Sequence, residues 1–439
     1  MDFPSLKSTQ SKSTRNYWVL AIIIVICYGL HLRYATLEIT DLSTTIRSDA
    51  ELYYIYAYNI HNEHIYSKEA TTGDIKPKPD SFCPPAFPFF ASLFWENTNY
   101  FVPKVLWGQT LIQIVSFLIL NIMLFRCTQG VIALIGSLMI WTFPHFIAID
   151  MYFLTESLFV SIIALIIAIS LKQKLTSIDW ILLGILCGVG ALTRSTLEYF
   201  SIFVFLILAF RKAIKREHIY FLIASLIPII GWKIRNYIAT GAPADPTLMI
   251  SALYHGSFPD FMFNHDPRSL GYAYQFDPES AKAYQSIRSA LGLIIERATN
   301  APMEYAQWYL IGKQFFLWQW YIFEGWGDIY IYNVENSPWE RFPDMIVAHD
   351  FHRFLHQLWV APSVIFSIYL FFKKETQQNQ ALFICTALII FCMLLHAITA
   401  PYTRYGIPFK LPLMLIFLVA LNWGLIKINA LVIKKTQRI

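Results

Sequence analysis

The 439-residue sequence is poor in charge. Lys, Arg, Asp and Glu make up 14% of it, against roughly 25% in an ordinary soluble domain. That deficit excludes a disordered chain, a nucleic-acid-binding protein and a typical cytosolic enzyme, which all depend on a charged, solvated surface. Pairable cysteines are also lacking. Cys27, Cys187, Cys385 and Cys392 lie inside apolar blocks, Cys127 lies at the edge of one, and only Cys83 falls in a polar connection. One external thiol cannot close an internal disulfide, and no CxxC or Cys/His spacing offers a zinc site. There is no glycine-rich phosphate loop, no internal repeat and no low-complexity run. The inverted halves of many transporters are not visible either.

What fills the chain instead is apolar: 56% hydrophobic residues, 17% aromatics and a mean hydropathy of +0.46. Apolar blocks of about 18 residues or more mark membrane-spanning helices. Apolar blocks of 14 to 24 residues, the shorter ones below that length, cover 17–32, 102–125, 131–149, 153–171, 178–192, 197–210, 219–232, 356–372, 381–397 and 407–426. They predict an all-α integral membrane protein with about ten transmembrane helices. Lys7, Lys12 and Arg15 precede the first block as in a signal peptide, but no small-residue cleavage site follows. We read it as a retained helix, closed by Arg33-Tyr34 as an interface anchor.

Basic residues near span ends set the orientation. With the N-terminus in the cytoplasm, Arg126, Lys172/Lys174, Arg211/Lys212/Lys215/Arg216, Lys373/Lys374 and Lys427/Lys434/Lys435/Arg438 all fall on the inner side. An even span count returns the C-terminus to that side. Two long connections then face outward, 34–101 and 236–350. The second is more acidic than basic and holds Trp308, Trp318, Trp320, Trp326 and Trp339, which predict short interfacial helices on the membrane surface. The chain thus divides into an N-terminal transmembrane module (1–235, with the external loop 34–101), a large external loop (236–350) and C-terminal transmembrane helices (351–439).

Polar residues at span mouths are costly and therefore functional candidates, and here they collect on the outer side. Asp49 follows the first span, sharing a helix face with Tyr53 and Tyr56 and lying beside Tyr54. It suits a general base, with helix capping as the plainer alternative. Cys83 to Pro88, including Pro85, predicts an extended approach to the second span. Asp150 and Glu156 lie where the third span turns into the fourth, and Glu156 falls in an apolar block that demands a partner. Arg194 and Glu198 are spaced to pair across one helical turn. Arg235-Asn236 closes the seventh span, and His396 and Arg404-Tyr405 precede the tenth. Arg194, Arg235 and Arg404 break the basic-inside trend. A guanidinium fork there matches phosphate oxygens. The run His61-Asn62-Glu63-His64 has only a weak metal spacing. No metal ligand is assigned, and a divalent cation stays open as a cofactor.

At these residues the chain resembles the GT-C glycosyltransferases, in the branch of the protein mannosyltransferases and the lipid A aminoarabinose transferase (glycosyltransferase family 39 type). The resemblance covers nearly all of the chain in order. An outward Asp with a following Tyr/Ala/Asn helix matches Asp49 to Asn59. A basic–Pro–Pro–Gly–Tyr–Pro motif resembles Cys83 to Pro88. Thr155-Glu156, Leu192 to Ser195, Arg235 to Tyr237 and Arg404 to Pro408 follow at similar places. Cys83 stands where the family often has a basic residue, Ser195 where it has Pro, and Gly406 where it has a second Arg.

The resemblance implies a sugar donor on a polyprenyl phosphate, an extracytoplasmic active site in a bacterial inner membrane, and Asp49 as the base activating an acceptor. Partners would be that donor, a lipid, glycan or protein acceptor, and membrane lipids, with no nucleic acid. Glu156 and Asp150 would orient substrates, and Arg194, Arg235 and Arg404 would hold the phosphate. Tyr53, Tyr54, Pro85, Glu198, Asn236, His396 and Tyr405 would line the substrate site. Two alternatives stand beside this: a surface-polysaccharide polymerase or ligase, and a secondary transporter or lipid flippase. Charges at the outer mouths rather than at mid-span weigh against transport.

Overall fold

The computed structural model describes residues 12–70, 76–373, 376 and 378–436. Lys7, Lys374 and Arg438 lie outside the described residues, as do the side chains of Lys12, Lys427, Lys434 and Lys435. Among the described residues the protein is all-helical; the only β features are the isolated bridges Asp41↔Glu335 and Gly327↔Tyr330. In chain order the helices are α1 (Lys12–Ile39), α2 (Asp49–Tyr58), α3 (Ala86–Ser92), α4 (Phe101–Cys127), α5 (Gly130–Trp141), α6 (Pro144–Ala148), α7 (Glu156–Ser170), α8 (Ser177–Thr193), α9 (Phe200–Phe210) and α10 (Arg216–Thr240). The long connection carries α11 (Thr247–His255), α12 (Ala273–Phe276), α13 (Ser280–Ala283), α14 (Ile287–Asn300), α15 (Pro302–Gln307) and α16 (Lys313–Trp318). Then come α17 (Pro343–Phe372), α18 (Gln380–Ile398), α19 (Thr403–Gly406) and α20 (Lys410–Thr436).

Each predicted apolar block contains a helix, but not all are long. Five helices (α1, α4, α10, α17 and α18) are long and apolar enough to cross a membrane, and α5 with the Pro144–Met151 segment makes a sixth if counted as one bent span. That pair bends by 44°. Pro144 explains the break: it has no N–H to donate and forces Phe143 before it into extended backbone (φ −69°, ψ 116°). A new helix then starts with the proline in its first turn, where no N–H is needed.

The bend delivers Asp150 to the interior. Asp150 is fully buried and faces Arg33, also buried, with Nε at 3.5 Å from Oδ2. Gln113 on α4 ties the two together, accepting from Arg33 Nη2 (2.8 Å) and donating to Asp150 Oδ1 (2.9 Å). Ser157 donates to the same oxygen at 2.6 Å. Arg33 also donates to the Trp141 carbonyl at 3.0 Å. This network fastens α1, α4, α5 and α7 together. Arg33 is therefore no interface anchor, because a guanidinium sealed in an apolar bundle must sit on a carboxylate; Tyr34 beside it is exposed.

Two further expectations change. The proline-rich run is not extended throughout: Pro85 has helical backbone and Ala86 to Ser92 is helix, with Pro88 in its first turn, where a missing N–H costs nothing. Nor do the loop tryptophans lie on a surface. Trp308, Trp318, Trp320 and Trp339 are buried and only Trp326 is exposed. The apolar side chains that α14 to α16 do expose are Leu291, Ile295, Met303, Leu310, Ile311 and Phe315.

Removing one partner of a buried ion pair strands the other. Asp150→Ala should lower stability by about 3–5 kcal/mol, measured by thermal unfolding of the purified protein. An unchanged unfolding temperature would contradict the network.

Candidate functional site

Arg404 is placed by a short turn clamped from several sides. Lys313 on α16, fully buried, donates to the carbonyls of Ile398 (3.2 Å) and Thr399 (3.0 Å) at the end of α18. The Thr403 hydroxyl donates to the Phe316 carbonyl at 3.0 Å and accepts from Gln319 Nε2 at 3.2 Å. The Arg404 N–H donates to Glu324 Oε1 at 2.7 Å. Gly406 lies so close to the Leu317 carbonyl that any Cβ there would overlap it. That contact explains a glycine where the resembled family carries an arginine.

So held, Arg404 donates through Nη2 to Asp49 Oδ2 at 2.9 Å, joining segments 355 residues apart. Asp49 lies in the first turn of α2, but the capping position belongs to Ser48. The side chain of Asp49 is 47% exposed and that of Arg404 16%, so the pair opens outward from the Asp49 side. Burial opposes the charge on Arg404, yet Asp49 and its other neighbours outweigh it and hold the guanidinium above its ordinary value. Burial also raises the nearby Tyr332 phenol to about 12, with Arg404 opposing and Asp49 and Glu156 adding to it.

Arg194 approaches the same place from α8. Its Nη1 meets Glu156 Oε1 at 2.5 Å and donates to the Thr155 hydroxyl at 3.0 Å. Glu156 is buried at the start of α7, and Arg194 is the partner that its apolar block demanded. Both guanidiniums lie over one ring, Tyr405: Arg194 at 4.8 Å and Arg404 at 5.4 Å from its centroid. Cations over an aromatic face are attracted by its quadrupole. His396 stands 5.4 Å from that ring, its Nδ1 on the Ala400 carbonyl and its Nε2 buried without a partner. The Nε of Arg404 is likewise buried and unpaired.

The expected Arg194–Glu198 pair does not form. Arg194 terminates α8 in extended backbone (φ −143°, ψ 128°) and a short turn follows, so the two residues share no helix face. Glu198 instead takes Lys233 at 2.6 Å. Arg235 joins a second cluster: it donates to the Asp80 carbonyl (2.7 Å) and to Asn236 (3.1 Å) and lies over Tyr66 and Trp232. Tyr56 belongs there too, donating to Asp80 Oδ1 at 2.5 Å. Burial raises the Cys83 thiol in this region, with Asp49 and Asp80 adding to it. Asn236 is buried and donates to Pro243.

Of the remaining candidates, Tyr53 packs edge-on to Phe87, while Tyr54 packs against Trp95 and Phe101. Pro85 is buried and its carbonyl receives the Phe89 N–H. Asp150 stays in its network with Arg33. Among the described residues no three His, Cys, Asp or Glu side chains group to hold a metal ion. Sequence reasoning missed Glu324, one acidic residue among many in the long loop. No family model matches the chain, and no curated protein does.

The two glutamates near Arg194 separate by experiment. Glu156→Gln should cost about 1.5–3 kcal/mol, as for a lost charged hydrogen bond, and Glu198→Gln within about 0.5 kcal/mol. Equal unfolding temperatures in the two variants would contradict the pairing.

Proposed function

We propose that the protein is a membrane glycosyltransferase of the GT-C type, moving a sugar from a polyprenyl phosphate to a lipid, glycan or protein acceptor. In this reading it spans a bacterial inner membrane about ten times, with both termini cytoplasmic and the site facing the periplasm. The exposed apolar side chains of α14 to α16 then rest in the outer leaflet. The observation that carries the reading is the meeting of Arg194 and Arg404 on Tyr405, each with its own carboxylate, Glu156 and Asp49. A pair of cations beside a partly exposed carboxylate suits a reaction in which a phosphate leaves and a hydroxyl loses its proton.

The chemistry follows from charge exchange. A carboxylate bound to a guanidinium is a weak base, so Asp49 must first lose Arg404. The donor phosphate, itself an anion, takes up the Arg404 fork, whose Nε is unused. Asp49 then accepts the proton of the acceptor hydroxyl. The acceptor oxygen forms its bond to the anomeric carbon as the bond from that carbon to the phosphate oxygen breaks. Polyprenyl phosphate departs with the electron pair, its charge met by Arg404 and Arg194. Glu156 keeps Arg194 aimed at Tyr405. The donor bond supplies the driving force, so no nucleotide is consumed.

Asp49→Asn keeps the shape of the side chain but cannot take a proton. Turnover, read as undecaprenyl phosphate released from undecaprenyl-phosphate sugars in membranes, should fall about 10²-fold or more, with undecaprenyl phosphate still bound. Full turnover in this variant would sink the proposed base. Topology gives an independent check. Arg268 is highly exposed on the long loop, and Arg268→Cys should react with an impermeant thiol reagent in intact cells. Reaction only after lysis would reverse the orientation.

A further inference from the structure

Four buried polar atoms without a hydrogen-bond partner belong to residues at the Arg404 turn: Arg404 Nε, Glu324 Oε2, Tyr332 Oη and His396 Nε2. Buried polar atoms are nearly always partnered in folded proteins, so each such atom demands an explanation. A phosphate accounts for Arg404 Nε, a donor. It does not account for Glu324 Oε2, because a carboxylate oxygen repels a second anion and accepts only from an O–H or N–H.

Glu324 is also held unusually firmly for a loop residue. Its Oε1 is fixed by the Arg404 N–H at 2.7 Å, and its own carbonyl accepts from the Tyr272 hydroxyl at 2.9 Å. Phe323 beside it packs with Phe261, Phe316 and Tyr402. Glu324 is thereby tied to the turn whose Arg404 side chain makes the Asp49 contact, with its second oxygen left without a partner. Tyr272, half-exposed, feels Arg404, Glu324 and Asp49 together and stands at the rim. Tyr405 lies under the Arg404 guanidinium, and Tyr332 feels Arg404 and Asp49. Aromatic faces with a few fixed polar atoms suit a ring bearing hydroxyls. Burial pushes the Glu324 carboxyl up, and the backbone N–H groups of Arg404, Glu324 and Thr403, with the Arg404 charge, oppose that shift.

We propose that Glu324 is a specificity-determining residue whose free oxygen accepts a hydrogen bond from a hydroxyl of the donor's sugar. This rests on the glycosyltransferase reading. A buried acceptor that loses its partner penalises any substrate lacking that hydroxyl, which is how a site rejects analogues.

The test uses the full-length protein in nanodiscs. The probes are undecaprenol, undecaprenyl phosphate, and undecaprenyl phosphate bearing mannose, glucose, galactose or arabinose. Wild type should bind undecaprenyl phosphate better than undecaprenol, and one sugar-bearing carrier about tenfold or more tighter than the bare phosphate. Glu324→Gln retains an oxygen for the Arg404 N–H but turns an amide donor toward the sugar. It should bind bare undecaprenyl phosphate like wild type and lose the preference for the sugar. A retained preference overturns the proposal, and so does a loss of bare-phosphate binding, which would make Glu324 a mere support for Arg404. No preference among the sugars in wild type overturns it as well. Failure of wild type to distinguish undecaprenyl phosphate from undecaprenol instead brings down the glycosyltransferase reading itself. Should Glu324→Gln not fold, deoxy versions of the preferred sugar decide on the wild-type protein. A tenfold loss for one deoxy position supports the contact, and equal binding of all of them refutes it.

Discussion

A guanidinium in an apolar bundle must be neutralised where it stands, and three arginines impose that constraint on this structure. Arg33 takes Asp150, Arg194 takes Glu156 and Arg404 takes Asp49. The pairs differ in access. Arg33 and Asp150 are sealed at 1% exposure each, so their pair can only hold helices together. Arg194 and Glu156 are nearly as buried, but their guanidinium faces Tyr405. Only the Asp49–Arg404 pair reaches solvent through its carboxylate. The gradient from sealed to open separates scaffold from candidate chemistry.

Much of the architecture was legible because apolar blocks are a local property. Every block contains a helix. Their lengths were less legible: the bend at Pro144 divides one block, and several helices stop short of the span that hydropathy implied. The site was half legible. Asp49, Glu156, Arg194 and Arg404 stood out because charge beside an apolar run is expensive. Their pairing did not, since Asp49 and Arg404 lie 355 residues apart. The i,i+4 argument for Arg194 and Glu198 failed because it presumes a continuous helix, and the helix ends at Thr193. Glu324 carried no sequence signal, as an acidic residue in an acidic loop has no reason to be singled out.

The arrangement gives the proposed transferase an economy of parts. The same turn that presents Arg404 to Asp49 is held by Glu324, so phosphate recognition, base release and sugar recognition would share one backbone segment. The departures from the resembled family fit this picture. Gly406 has no room for a side chain against Leu317, and Cys83 sits in the Asp80 region, near Tyr66, whose hydroxyl donates to its carbonyl. Phosphate charge would then fall on Arg194 and Arg404 alone.

The exchange of Asp49 for phosphate on Arg404 is the central claim, and a structure of the protein in nanodiscs with undecaprenyl phosphate tests it most directly. The account predicts phosphate oxygens about 3 Å from the Arg404 guanidinium, at hydrogen-bond distance, with Asp49 released and facing the outer opening. Phosphate bound in the Arg235 cluster, with the Asp49–Arg404 pair intact, would contradict it.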